Sequence, residues 1–362
     1  MGNKFKNIIQ TIIFISILFV IFILNLIKED EKISISERRT LASFPSIENG
    51  VSEFGENFDK YATDQFIFRD FFRKIKTNYE FKILRKRDYN NLFIYNNSIY
   101  KMEYPLKENM IKKAAEKINS INEKYLNNMN CYYAIIPDKT FYLKNKSEYL
   151  FLEHEKLVDI MKENVRNVKY IEISDCFNEE SYYKTDLHIK QEEYQYAVNR
   201  ISEQMGKNII DFSKFEKRKI TNFYGAYYGQ IMREIEADEI YYLIDENTEN
   251  SFTYNYENKQ RKEIYDLEKI NSNDLYDIFL SGAVPIIDIY NEKVNNGEEL
   301  IIFRDSFASA LAPLLLSNYS KITLIDIRYI SSDSLAEYVT FENQDVLFLY
   351  NDLILNNSLV LK

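Results

Sequence analysis

Asp186 and His188 stand two apart in TDLHIK (185–190), and the chain holds only one other histidine, His154. In an extended segment, residues i and i+2 point the same way. A carboxylate at 186 can then hold one imidazole nitrogen and leave the other as a general base. A serine able to use that base occurs at position 306, where the apolar run ELIIFRD (299–305) meets SFASAL. A strand-to-helix turn puts its side chain outside the carboxyl end of a sheet, and a helix N-terminus adds unpaired N–H groups that stabilise an oxyanion. Asp186, His188 and Ser306 therefore form a complete set for acyl transfer through a serine ester. Each has a plainer reading. Serine is a common helix N-cap, worth about 1 kcal/mol, and Asp186 can simply cap a surface histidine. His154, between glutamates in LEHEK, reads as a solvated helix-face residue kept cationic by its neighbours.

Composition narrows the field. The chain of 362 residues is 46% hydrophobic and 28% charged, which is globular composition and excludes a wholly disordered chain. With 46 Lys+Arg against 56 Asp+Glu the net charge is −10, the wrong sign for a nucleic-acid partner. Two cysteines, Cys131 and Cys176, and two histidines supply neither a disulfide framework nor a His-rich metal site. No Gly-rich phosphate loop is present. The expectation is an enzyme without metal or cofactor.

The elements that must position these groups begin with a membrane segment. Lys6 and Lys28 bracket 21 uncharged residues, in which only Gln10, Thr11, Ser16 and Asn25 are polar within 8–27. Twenty helical residues span about 30 Å, the thickness of a bilayer core. The exit, LIKED, has no small-residue cleavage site, so an uncleaved anchor is expected. Lys4 and Lys6 precede the span and Glu29, Asp30 and Glu31 follow it, which places the N-terminus in the cytoplasm and the rest outside. The expected organisation is a tail (1–7), a transmembrane anchor (8–27), a juxtamembrane region packing on the main domain (28–105) and an α/β domain (106–362).

Within that domain apolar runs alternate with helical periodicity. Helices are expected at 107–129, 153–165, 190–206, 306–317 and 331–339. Strands are expected at 131–137, 168–173, 299–305, 321–327 and 345–350, with 215–275 poorly patterned. Apolar strands alternating with helices argue for a mostly parallel sheet covered on both faces.

Several segments resemble the DHHW family of bacterial cell-surface proteins, related to alginate O-acetyltransferase-like proteins with a circularly permuted SGNH hydrolase-like fold. They are ISERRTLASFP (35–45), FDKYATDQFIFRD (58–70), IIPDKTFYL (135–143), YYKTDLHIK (182–190), FLSGAVPIIDIYN (279–291) and IIFRDSFASALAPLLLSNYSKITLIDIRYI (301–330). The family's first motif histidine falls on Leu187, its tryptophan on Ile189, and the asparagine of its Gly-Gly-Asn segment on Ala283. The resemblance implies Ser306 as nucleophile, His188 as base and Asp186 as the residue orienting it. It further implies oxyanion or substrate contacts from Gly282 and Arg328, though Arg328 reads equally as a surface ion pair with Asp326 or Asp333. It implies a membrane-anchored extracytoplasmic O-acetyltransferase acting on an exported or cell-surface polysaccharide, with a multi-pass membrane O-acyltransferase partner delivering the acetyl group. An acetylesterase uses the same triad with water as acceptor. A weakly active scaffold or glycan-binding subunit is the non-enzymatic alternative.

Overall fold

The structure is a computed structural model that describes residues 2–362, except Ile35, Arg38, Asn49, Asn145 and Asn273. Two residues of the ISERRT segment, Ile35 and Arg38, thus lie outside the described residues. The chain forms two compact units, one of Met1–Asn90 with Tyr228–Glu234, the other of Asn91–Tyr227 with Ile235–Lys362. The division falls at 90/91, upstream of residue 106, and a short internal segment belongs with the N-terminal unit.

The N-terminal unit opens with helix α1 (Gly2–Ile27), long and apolar enough over Lys4–Ile27 to cross a membrane, with no residue of that stretch buried. Two-residue strands β1 (Ile33–Ser34) and β2 (Arg39–Thr40) pair antiparallel. Helices α2 (Val51–Asp64) and α3 (Arg69–Asn78) follow, and a π-helical turn (Tyr79–Ile83) extends α3. Phe44 packs edge-on against Phe54, Phe58 and Tyr61, the face of α2 that its periodicity marks as apolar. Gln65 is buried and its side chain satisfies the backbone of Glu31 and Ala42. Asp64 takes Arg39 in a two-bonded pair, which holds its carboxyl down at about 2.

The larger unit opens with a hairpin, β3 (Leu92–Tyr95) and β4 (Ser98–Lys101). Then come helix α4 (Glu108–Tyr125), β5 (Cys131–Ile136), helix α5 (His154–Asn164), β6 (Lys169–Ile171) and helix α6 (Gln195–Gln204). A separate antiparallel ribbon is made of β7 (Glu216–Phe223) and β8 (Asp238–Ile244). The remaining strands are β9 (Ser251–Asn255), β10 (Gln260–Glu263), β11 (Ile286–Asn291), β12 (Glu299–Arg304), β13 (Lys321–Ile325) and β14 (Asp345–Asn351).

Eight strands make the main sheet in the order β10-β9-β11-β13-β12-β14-β5-β6. From β13 to β6 every pairing is parallel; β11, β9 and β10 add an antiparallel edge. The parallel part follows from apolar runs too short for helices and buried on both faces. Alternation divides them. Leu300, Ile302, Leu347 and Leu349 join α6 in one core, while Ile301, Phe303, Val346 and Phe348 join α4 and α5 in the other. Strand β12 sits centrally, with Ile302 opposite both Leu324 and Leu347.

Some elements differ from the sequence expectation. The segment after β12 is a single α-helical turn (Ala308–Leu311) that tightens to 3₁₀ over Ala312–Leu315, at Pro313, which has no N–H to continue the ladder. Residues 332–337 are also 3₁₀. The stretch expected to be poorly patterned holds β7 to β10; in β7 and β10 exposed residues mask the strand period.

Candidate active site

Strand β12 ends at Arg304; Arg304 and the next residue, Asp305, are both buried, and each fixes the turn that carries Ser306. The Asp305 carboxylate accepts from the Phe307 N–H at 3.0 Å and the Asn351 N–H at 2.6 Å, tying the turn to the end of β14. Burial pushes the Asp305 carboxyl upward, opposed by the field of Arg328. Arg304 donates to Ser309 Oγ at 2.6 Å and to the Gly282 carbonyl at 3.3 Å. The Ser306 hydroxyl caps nothing: the helical turn starts at Ala308 with Phe307 at its N-cap position. Instead Ser306 Oγ lies 2.8 Å from His188 Nε2.

The histidine comes from an irregular loop closed by a bridge between Tyr182 and Ile189. Asp186 and His188 meet as their i, i+2 spacing requires: His188 Nδ1–H donates to Asp186 Oδ1 at 2.6 Å, and the His188 backbone N–H donates to the same oxygen at 3.0 Å. A carboxylate on Nδ1 fixes the tautomer whose Nε2 accepts the serine proton. Asp186 Oδ2 accepts from the Ala226 N–H at 2.7 Å. Both Asp186 and His188 are buried, and Ser306 is half-buried. Tyr276 stacks flat on the imidazole at 3.8 Å and Phe307 packs beside it at 4.8 Å.

The loop is propped from three sides that sequence reasoning passed over. Asp238 accepts from the backbone N–H groups of Lys184 and Thr185 and from the Thr185 hydroxyl. Gly225 approaches so closely that an added Cβ would lie 2.2 Å from Asp186 Cβ, and its N–H donates to Thr185 Oγ1. Lys139 is wholly buried and donates to the carbonyls of Ile99, Tyr183 and Lys184 at 2.8, 2.6 and 3.2 Å. Burial pulls its ammonium down to about 7 against the fields of Asp238, Asp186 and Asp138. One signal was available: with only 8 glycines in the chain, a glycine at 225 marks a place where backbone and side chain come close.

Gly282 and Arg328 occupy different settings. Gly282 has φ +87° and its N–H donates to the Phe279 carbonyl at 3.3 Å, while its own carbonyl holds Arg304. Arg328 forks onto the buried Asp326 at 2.9 and 2.6 Å. Among the described residues nothing accepts from the Ser306 N–H.

His154 departs from the solvated-face expectation. It is buried, and its Nδ1 lies 2.9 Å from Asp352 at the exit of β14. Burial lowers its pKa, but the charge and hydrogen bond of Asp352 outweigh that and raise it overall. Asp352 also accepts from the Asp138 N–H. Among the described residues no hydroxyl bonds its second nitrogen, so this pair joins α5 to the sheet. Cys131 and Cys176 are free thiols, both pushed up to about 11 by burial.

A buried carboxylate, an oriented imidazole and a serine at the carboxyl end of a parallel strand are the groups that acyl transfer through a serine ester requires. The chain belongs to the DHHW family, whose model, described as DHHW protein, matches residues 145–325. No curated protein matches the chain. Among solved structures, a DHHW family protein from Eubacterium siraeum superposes with a TM-score of 0.60 at 18% identity, over 76% of this chain and 95% of that one. PatB1 from Bacillus cereus does so with a TM-score of 0.60 at 22% identity, over 73% and 96%. A second PatB1 structure, with a sulfonyl adduct, matches with a TM-score of 0.60 at 20% identity, over 73% and 95%. At these identities the likeness is one of fold.

Proposed function

We propose that the chain is a membrane-anchored extracytoplasmic O-acetyltransferase that modifies an exported or cell-surface polysaccharide. The observation that carries this reading is the unbroken hydrogen-bond chain from Asp186 through His188 to Ser306 Oγ. Ser306 Oγ attacks the acetyl carbonyl while His188 Nε2 takes its proton. The oxyanion forms beside the Ser306 N–H. His188 returns the proton to the departing donor group, leaving an acetyl ester on Ser306. A sugar hydroxyl then attacks that ester, gives its proton to His188 and receives the acetyl group, and the proton restores the serine. Asp186 stabilises the imidazolium formed in each half.

Helix α1 serves as the anchor, with its N-terminus cytoplasmic. The acetyl donor is a multi-pass membrane O-acyltransferase that carries the group across the bilayer. The chain order Asp186, His188, Ser306, with the serine strand late in the chain, supports a circularly permuted SGNH-like arrangement. The position of Ala283 and the engaged Gly282 N–H favour a slower reaction or a scaffold role, because fewer donors face the oxyanion.

The test is incubation of the full-length protein with a chromogenic acetyl ester and an oligosaccharide, with mass spectrometry of the Ser306 peptide and the glycan. Transfer requires an acetylated Ser306 peptide and an acetylated glycan, both lost in Ser306→Ala. Ester hydrolysis without glycan acetylation means an acetylesterase. Neither product, together with no labelling by a sulfonyl fluoride, means a scaffold.

A further inference from the structure

Helix α3 and the π-turn that extends it are amphipathic in the reverse of the usual sense. The face packed within its own unit is polar. Arg73 donates to the Gly229 carbonyl at 2.6 Å, Asn78 Oδ1 accepts from Arg233 at 2.9 Å, and Thr77 is buried. The opposite face carries Phe68, Phe71, Phe72, Ile75 and Tyr79, which fall at i, i+3, i+4, i+7 and i+11. They are 63, 60, 45, 48 and 51% exposed, and Ile83 continues the stripe. A soluble helix buries its apolar stripe and shows its charges. A contiguous exposed stripe of this kind marks a contact surface.

Two observations say what covers it. The first is depth. Asn25 lies inside the apolar span of α1, and its Oδ1 accepts from the Ile67 N–H at 2.8 Å. It precedes the last residue of α1 by two positions, about 3 Å along the axis. Tyr61 to Asp30 and Gln65 to Glu31 fasten the same junction. The start of α3 is therefore held level with the outer end of the span. The second is charge. Residues 69–87 contain eight Lys+Arg and two Asp+Glu, in a protein whose net charge is −10. A basic helix with phenylalanines on its other face is the chemistry of a helix lying in an anionic membrane interface.

We propose that α3 lies in the outer headgroup–acyl boundary of the membrane. The stripe Phe68, Phe71, Phe72, Ile75 and Tyr79 enters the acyl edge, and the exposed Lys74, Lys76 and Lys82 meet anionic headgroups, while Arg69 and Arg73 pair with Glu37 and Asp70 within the unit. The inference rests on the reading of α1 as a transmembrane anchor and extends it: the chain is attached by a span and by an interfacial helix at right of exit from it. Lipid is the occupant because the Asn25–Ile67 bond sets the stripe at lipid depth beside the span, and because the flanking charge opposes that of the protein as a whole.

The chain contains no tryptophan, so a single introduced tryptophan reports alone. The full-length protein is placed in vesicles of equimolar phosphatidylcholine and phosphatidylglycerol, with the phosphatidylcholine acyl chains brominated near the carbonyl or not brominated. Phe71→Trp and Ile75→Trp test the stripe, Phe14→Trp tests α1 with deeper bromines, and Tyr196→Trp, 68% exposed on α6, is the water reference. Bromination is expected to lower the emission of Phe71→Trp and Ile75→Trp at least about two-fold, and to leave Tyr196→Trp unchanged. Quenching of Phe14→Trp without quenching at 71 and 75 overturns the proposal and leaves the anchor standing. Blue-shifted, unquenched emission at 71 and 75 would then assign the stripe to a protein partner, and red-shifted emission to water. Absence of quenching at position 14 as well overturns both readings.

Discussion

Replacing Gly225 by alanine tests how closely the imidazole must be steered. The new Cβ would sit 2.2 Å from Asp186 Cβ and 2.5 Å from Oδ2. Non-bonded carbons rest at about 3.5 Å, so one of the two backbones must retreat by about 1 Å. Asp186 cannot retreat and also keep the 2.7 Å bond from Ala226 and the 2.6 Å bond to His188. A misplacement of about 1 Å at a catalytic group costs about 10²-fold in rate. Gly225→Ala is therefore expected to lower kcat for a chromogenic acetyl ester by about 10²-fold with little change in KM. The overpacking itself costs about 1–3 kcal/mol of stability. Urea unfolding of the same preparation checks that the protein is folded in the assay. A folded Gly225→Ala protein within about two-fold of the wild-type kcat would refute the reasoning, because Asp186 would then be dispensable or free to adjust.

Ser306→Ala, His188→Ala and the double variant should show similarly low turnover, since the groups act as one unit; additive losses in steady-state rates would contradict that. The His154–Asp352 pair makes stability depend on pH. The folded-state pKa of His154 lies above its ordinary 6.5, so the folded chain binds the extra proton and its contribution is lost as pH rises through the folded pKa. His154→Gln should flatten that fall in the urea midpoint from pH 6.5 upward, and an unchanged profile would count against the pair. Serine at both Cys131 and Cys176 should leave the unfolding midpoint nearly intact under oxidising and reducing conditions alike, since both thiols are free. Protease added to intact protoplasts should digest the chain beyond residue 28; full protection would reverse the proposed topology.

The parallel half of the sheet could be read from sequence because its strands are continuous apolar runs with one burial state. CYYAII, ELIIFR and DVLFLY fall at β5, β12 and β14 within a residue or so. The antiparallel pieces could not be read the same way. In β7, EKRKITNF buries only Phe223, so no apolar alternation survives. The β3–β4 hairpin did carry a signal, Asn96-Asn97 with φ of 45° and 58°, the turn that asparagine tolerates best between two strands. Asp186 and His188 were legible because their geometry is local, at i and i+2. Their supports were not, because Lys139, Gly225 and Asp238 reach the loop from 40 or more residues away in the chain. His154 was misread for the same reason: its neighbours in LEHEK suggest solvent, and its true partner lies 198 residues on.

The two halves of the site rest on supports of unequal stiffness. Ser306 follows a strand hydrogen-bonded along both edges, whereas His188 belongs to a loop held by one isolated bridge, a few separate backbone bonds and side chains. On warming, regions with few ladder bonds open before the sheet does. Catalytic competence should therefore have its own melting curve, lying below that of the fold. A cell could silence the protein by mild heating and recover it on cooling, with the β-sheet intact throughout.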